Sequence, residues 1–308
     1  VPRLDETAAG VYIISVTPFT DAGALDLAGT GWLVDFYLER GATGLTILGI
    51  MGEAPKLSAA ESRAFTAEVL RCTAGRVPVV VGVSSPGFAA MGELSRAVMD
   101  AGAAGVMVAP QTGAQTDDAI YGYFSMVAEA LGDIPWVLQD YPMASGVQIS
   151  VPVIRRVIET MPSCVMLKHE DWPGLAKLSA LRAMGDLRRV SVLVGTGGLF
   201  LPEELRRGAD GAMTGFSYPE MMSGVYAAHL AGDQQRAADI FDAYLPLVRY
   251  EQQAGAGLAV RKHILHQRGA IGSPAQRRPV AALSSADIAD IEFLVARQAH
   301  RLQTIGLA

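Results

Sequence analysis

Only four lysines occur in this chain, Lys56, Lys168, Lys177 and Lys262. Lys168 stands apart because it ends the apolar run Cys164-Val165-Met166-Leu167, and on an extended strand it shares a face with Met166. A lysine amine aimed into a low-dielectric site loses part of the stabilisation of its charge, and a neutral amine adds to ketones. The protonated imine that results is an electron sink for breaking or making a bond next to the former carbonyl. The other three lysines fall in predicted helices or loops, where a solvated or helix-supporting role is the ordinary reading.

Three further constellations could serve such a centre. Gly49-Ile50-Met51-Gly52-Glu53 offers glycines that let backbone N–H groups approach a carboxylate, although a tight turn needs the same glycines. Gln139-Asp140-Tyr141-Pro142 offers polar side chains; its plainer reading is a turn fixed by Pro142, with Asp140 bonded to local backbone. Gly195-Thr196-Gly197-Gly198 and Gly211-Ala212-Met213-Thr214-Gly215 stand where many barrels bind phosphate, so a phosphorylated ligand is a competing reading. The five histidines assemble no site: His263 and His266 lie on a predicted helix surface, and His169 points away from the face that Lys168 occupies.

These residues become neighbours only if the fold gathers the ends of many strands. Short β-rich runs alternate with helical patterns from residue 11 to about 230. The predicted strands are 11–17, 44–48, 77–83, 105–109, 135–139, 164–168, 190–195 and 210–214. Helices are predicted between them, with caps such as Ser58 before Glu61, and Ser150. A recurring phrase, Gly41-x-x-Gly44, Gly102-x-x-Gly105 and Gly208-x-x-Gly211, ends a helix in a left-handed cap and opens the next strand. Eight such units match a (β/α)8 TIM barrel over residues 1–231, with active residues at the carboxyl ends of the strands. A doubly wound open sheet is the structural alternative. Residues 232–308 read as a C-terminal helical extension, with helices at 233–252, 256–268 and 284–303 that pack on the barrel or on a neighbouring subunit.

Composition narrows the function further. Half of the 308 residues are hydrophobic, 18% are charged and the formal net charge is −6, so no basic surface for nucleic acid or anionic lipid is advertised. The two cysteines, Cys72 and Cys164, suit a reducing cytoplasm and belong to no metal-ligand cluster. The opening Val-Pro-Arg-Leu-Asp carries no basic segment followed by an apolar run, and no apolar stretch approaches the roughly 20 residues of a membrane span. Export and membrane insertion are not expected.

In order and spacing, Val16-Thr17-Pro18-Phe19, Gly49-x-x-Gly52-Glu53, Leu57-Ser58-x-x-Glu61, Leu167-Lys168 and Gly208-Ala209-Asp210-Gly211 resemble the family of dihydrodipicolinate synthase and N-acetylneuraminate lyase. The resemblance covers nearly the whole chain. It implies a class I lyase without a cofactor, usually a homotetramer, that holds a small 2-oxo acid such as pyruvate as a Schiff base on Lys168, with the loop from Gly49 to Glu53 on the substrate carboxylate.

The chain departs from the synthases of that family in the groups that move protons. Ile50 and Met51 replace two threonines, Gln139 stands in place of the relay tyrosine, the region of Ala144 lacks the usual arginine, and Gln111 or Thr112 falls where a tyrosine is donated across the subunit interface. The strand-five pattern Gln139-Asp140-x-Pro142 looks closer to relatives that dehydrate or cleave 2-oxo-3-deoxy sugar acids. Gln139 and Tyr141 are the catalytic candidates beside Lys168, with a bound water or the substrate carboxylate as other proton carriers. Gly49, Ile50, Met51, Gly52, Glu53, Gly195 and Thr214 are the substrate-binding candidates. A homologue that binds 2-oxo acids without turnover is a further reading.

Overall fold

In the computed structural model, which describes residues 2–307, eight parallel strands close into a barrel in sequence order. They are β1 (Gly10–Ile14), β2 (Gly44–Ile47), β3 (Val79–Gly82), β4 (Gly105–Val108), β5 (Trp136–Asp140), β6 (Cys164–His169), β7 (Ser191–Val194) and β8 (Gly211–Thr214). β8 pairs with β1, so the open-sheet alternative is excluded. All eight predicted strands are present, with ends that differ from the predicted ones by a few residues at most.

Side-chain alternation divides each strand between two cores. Outward residues such as Val11, Ile13, Leu45, Ile47, Val79 and Val81 pack under the surrounding helices. Inward residues Tyr12, Ile14, Val80, Met107, Val137, Met166, Leu193 and Met213 fill the barrel. Gly44 has no side chain because the Tyr12 ring occupies the space where its Cβ would lie. The recurring glycine phrase does what its spacing requires: Gly41, Gly102 and Gly208 take φ of 84°, 105° and 88°, and Gly44, Gly105 and Gly211 open their strands.

A register shift at Trp136/Val137 sets Gln139 directly beside Lys168, and Lys168 beside Leu193. Met166 lies in the barrel interior, so Lys168 does too, at the carboxyl end where the interior opens. The loops at this end hold strained backbone: Leu48 and Glu53 after β2 and Thr196 after β7 have φ of 55°, 54° and 52°. Beyond β8, helix Pro219–Leu230 is followed by helices Gln234–Glu251, Gly257–Gln267 and Ser285–Thr304. Helix Gln234–Glu251 packs on both Pro219–Leu230 and Ser285–Thr304, and the turn after it leans over the barrel mouth. No helix among the described residues is long and apolar enough to cross a membrane.

Candidate active site

A cavity of about 290 Å3 opens at the carboxyl ends of the strands. Gln139, Tyr141, Lys168 and Glu170 line it from the β5–β6 side, Ile14, Ile50 and Met51 from β1 and the β2 loop, and Thr196, Gly197, Thr214 and Gly215 from β7 and β8. Glu251, Gln252, Leu258 and Arg261 complete the wall from the C-terminal helices.

Lys168 is 4% exposed, and its Nζ lies 2.6 Å from Glu170 Oε2. Burial in an apolar barrel is therefore only half of its environment; a carboxylate faces the amine directly. Glu170 follows the end of β6 by one residue and keeps the inward parity of Lys168. Its backbone N–H donates to the Asp140 carbonyl at 2.8 Å, which extends the ladder past the strand end. Gln139 Nε2 donates to Glu170 Oε2 at 2.9 Å, and the Thr196 N–H donates to Oε1 at 3.2 Å. Gln139 and Thr196 thus hold the carboxylate against the lysine. Gly195 makes this possible, because a Cβ there would occupy the place of the Glu170 side chain.

The β2 loop enters a one-turn 3-10 helix, Ile50–Gly52, capped by Gly49. The Gly52 N–H returns to the Gly49 carbonyl and the Glu53 N–H to that of Ile50, so the N–H groups of Ile50 and Met51 begin the turn without a partner inside it. Gly49, Gly52 and Glu53 do not line the cavity. Glu53 is 2% exposed and turns the other way, to Lys262 Nζ at 2.7 Å and Lys56 Nζ at 3.1 Å, because two buried or half-buried cations lie beneath the loop. Gly195 likewise lies behind Glu170 rather than on the wall. Thr214 lines the cavity and accepts the Gly197 N–H at 2.8 Å.

The glycine loop after β7 has little left for a phosphate. Thr196 N–H is given to Glu170, Gly197 N–H to Thr214, and Gly198 N–H to the Gly195 carbonyl. The ordinary reading of the lysines also needs correction: Lys262 is fully buried and Lys177 is 9% exposed. Asp140 makes no local turn. It points outward from β5 to Lys177 Nζ at 2.6 Å and His169 Nδ1 at 3.4 Å, and Pro142 opens a short helix, Pro142–Ser145. Burial works against the charge on His169, but the bond to Asp140 and its charge outweigh this and raise its pKa. Burial also raises Tyr141, the nearby charge of Glu170 adds to the rise, and Arg261 opposes it.

Glu170 and the C-terminal residues were missed from sequence. The signal for Glu170 was present, since it lies two residues beyond Lys168 and so shares its face. For Arg261 it was the pair Arg261-Lys262 inside the otherwise apolar Gly257-Leu-Ala-Val…Ile264-Leu265.

A closed barrel whose interior ends in a lysine beside an open cavity is an arrangement suited to enzymes that work through an imine. Comparison with known proteins narrows the class. The profile of the Dihydrodipicolinate synthetase family matches residues 7–297, and the chain belongs to this family; it is a lysine Schiff-base lyase. The chain is 31% identical to L-2-keto-3-deoxyarabonate dehydratase of Azospirillum brasilense over 279 residues, covering 89% of each. It is 34% identical over 277 residues to 4-hydroxy-tetrahydrodipicolinate synthase 1 of Streptomyces coelicolor, covering 88% of this chain and 87% of the other. The crystal structure of dihydrodipicolinate synthase from Rhodopseudomonas palustris superposes with a TM-score of 0.94 at 50% identity, covering 96% of this chain and all of that one.

Proposed function

We propose that the protein dehydrates a 2-oxo-3-deoxy sugar acid through an imine on Lys168, with Glu170 as the group that moves protons. The observation that carries this reading is the 2.6 Å approach of Glu170 Oε2 to a buried amine that borders a cavity. Glu170 takes a proton from Lys168, and the free amine adds to the C2 carbonyl. The carbonyl oxygen takes one proton from the attacking nitrogen and the other from Glu170 and leaves as water, giving a protonated imine and returning Glu170 to its carboxylate. Glu170 then removes a proton from C3 to form the enamine, and delivers it to the C4 hydroxyl, which departs as water. Hydrolysis of the imine consumes one water, so the net change is loss of one water from the substrate.

The substrate carboxylate is assigned to the N–H groups of Ile50 and Met51, with Thr214 and Tyr141 as hydroxyl contacts and Gln139 holding Glu170 in place. The missing threonines and relay tyrosine of the synthases support dehydration over condensation, as does the similarity to a dehydratase. Two unpaired cysteines support the cytoplasm as its location. A homo-oligomer, dimer or tetramer, is supported by the half-exposed Trp172 packed at a tilt against Phe200, with ring centroids 4.9 Å apart.

The test is borohydride reduction in the presence of pyruvate, followed by peptide mapping. We expect one adduct, on Lys168, and none in Lys168→Met; an adduct elsewhere or with no 2-oxo acid at all would refute the reading. Product analysis across hydroxylated 2-oxo acids then separates loss of water from carbon–carbon cleavage.

A further inference from the structure

We propose that Arg261 reads the far end of the substrate, and that it selects a 2-oxo-3-deoxy acid ending in a neutral hydroxyl over one ending in a second carboxylate. This rests on the Schiff-base reading above.

Arg261 enters the cavity wall from helix Gly257–Gln267 and is 3% exposed. Its Nε donates to Glu251 Oε1 at 2.5 Å and its Nη2 to the Gly215 carbonyl at 2.6 Å. Its Nη1 is buried and has no partner. A guanidinium N–H left unmet in the interior is costly, so a group that accepts from it is the missing part of this wall. Gly215 leaves the room Nη1 occupies, since a Cβ there would collide with it. Lys168 and Arg261 line the same cavity, so a ligand held as an imine on Lys168 shares it with the Arg261 guanidinium.

Charge decides what the tail can be. The cations on the wall are Lys168 and Arg261, and each already has its own carboxylate, Glu170 and Glu251. Glu251 is fixed by the Ser217 N–H at 3.1 Å and the Ser217 hydroxyl at 2.6 Å, so it cannot swing away. A second carboxylate would lie against Glu251 with no free cation to answer it, whereas a hydroxyl oxygen accepts from Nη1 at no charge cost. The neighbouring wall residues Gln252 and Gln253 are neutral amides.

The experiment compares kcat/KM of the wild type on a five-carbon 2-oxo-3-deoxyaldonic acid, its terminally deoxygenated analogue, and a six-carbon 2-oxo-3-deoxyaldaric acid. Pyruvate imine trapping is measured alongside. The wild type should prefer the hydroxyl-ended acid to both others by about ten- to a hundredfold. Arg261→Lys and Arg261→Met should shrink that preference, measured relative to pyruvate trapping, by a similar factor. Equal use of the deoxygenated acid, preference for the diacid, or a preference that survives both substitutions would overturn the assignment. The wild-type series decides even if neither variant folds. Failure of pyruvate trapping in the wild type would instead sink the Schiff-base reading, and is distinguishable from all of these.

Discussion

Two lysine–glutamate pairs lie buried near the mouth of the barrel, and only one of them borders open space. Lys262 Nζ donates to Glu53 Oε1 at 2.7 Å and to the Ala275 carbonyl at 2.8 Å, and lies 4.5 Å from the Phe19 ring centroid. The second oxygen of Glu53 accepts from Lys56 Nζ at 3.1 Å and from the Arg277 N–H at 3.0 Å. Burial pushes Lys262 down to about 8 even though Glu53 pulls the other way. By the criterion of burial alone this is a candidate reactive lysine. Its surroundings are filled, however, and a ketone has nowhere to approach from. Lys168 has one carboxylate and a cavity. What makes a buried lysine useful for imine chemistry is the vacant volume beside it together with a proton acceptor that can release what it takes, and Glu53, held by three donors under a loop, is a strut.

The largest effect that separates the two pairs should come from Glu170→Gln. The amide keeps the shape, can still accept from Thr196 and can donate to Gln139 once that amide turns over, but it cannot accept the C3 proton. Turnover is expected to fall by about a hundredfold to ten-thousandfold, while borohydride still traps a 2-oxo acid on Lys168, only more slowly, because the same carboxylate takes the proton from the amine. Turnover within a few-fold of wild type would move the proton transfers to another group. Next comes Lys262→Met, which leaves Glu53 buried without its main partner and should cost about 3–5 kcal/mol in denaturant unfolding. The protein that remains folded should still be trapped at Lys168. Loss of trapping with unchanged stability would reverse the roles assigned to the two lysines.

The contrast also explains how far the sequence could be read. The barrel was legible because its signals are local and repeated: apolar runs, caps such as Ser58, and the glycines at 41, 102 and 208 that need a left-handed conformation. Lys168 was legible because strand parity is a rule of period two. The partners of the other lysines were not, since Lys262 and Glu53 are 209 residues apart and nothing local records that they meet. Glu53 therefore read as a ligand-binding residue because it sits in the right loop, although its side chain faces the opposite way. Arg261 was hidden for the same reason: only the closed fold brings the C-terminal helices over the mouth of the barrel.

A third buried carboxylate sharpens the comparison from the outside of the strands. Glu204, on helix Leu201–Arg206, is held up to about 8 by burial, against the opposing charge of His169, and its Oε2 has no partner. Because its folded-state pKa lies above the value of about 4.5 in the unfolded chain, the folded protein binds the extra proton between those limits. The associated stability is fully present below pH 4.5 and is lost as pH rises to about 8. Glu204→Gln removes this dependence, so the variant should gain on the wild type across that window, by roughly 4 kcal/mol at its upper end. Parallel pH profiles of unfolding free energy for the two proteins would show that Glu204 is solvated or paired. Such a result would take Glu204 out of the comparison with Glu170.

The smallest expected effect tests the arrangement of Glu170 without touching its chemistry. Gly195 has φ near −119°, so no left-handed backbone demands glycine there. Its methyl group would nevertheless enter the space of the Glu170 side chain, and the carboxylate would have to move away from Lys168 and the Thr196 N–H. Gly195→Ala should lower turnover by about tenfold through that displacement, while the melting temperature changes little and the pyruvate adduct on Lys168 still forms. An equal loss of trapping and turnover would mean that the methyl group blocks the cavity itself. Retention of both would mean that Glu170 acts from a range of positions, and that the tight approach to Lys168 describes the resting enzyme rather than the proton-transfer step.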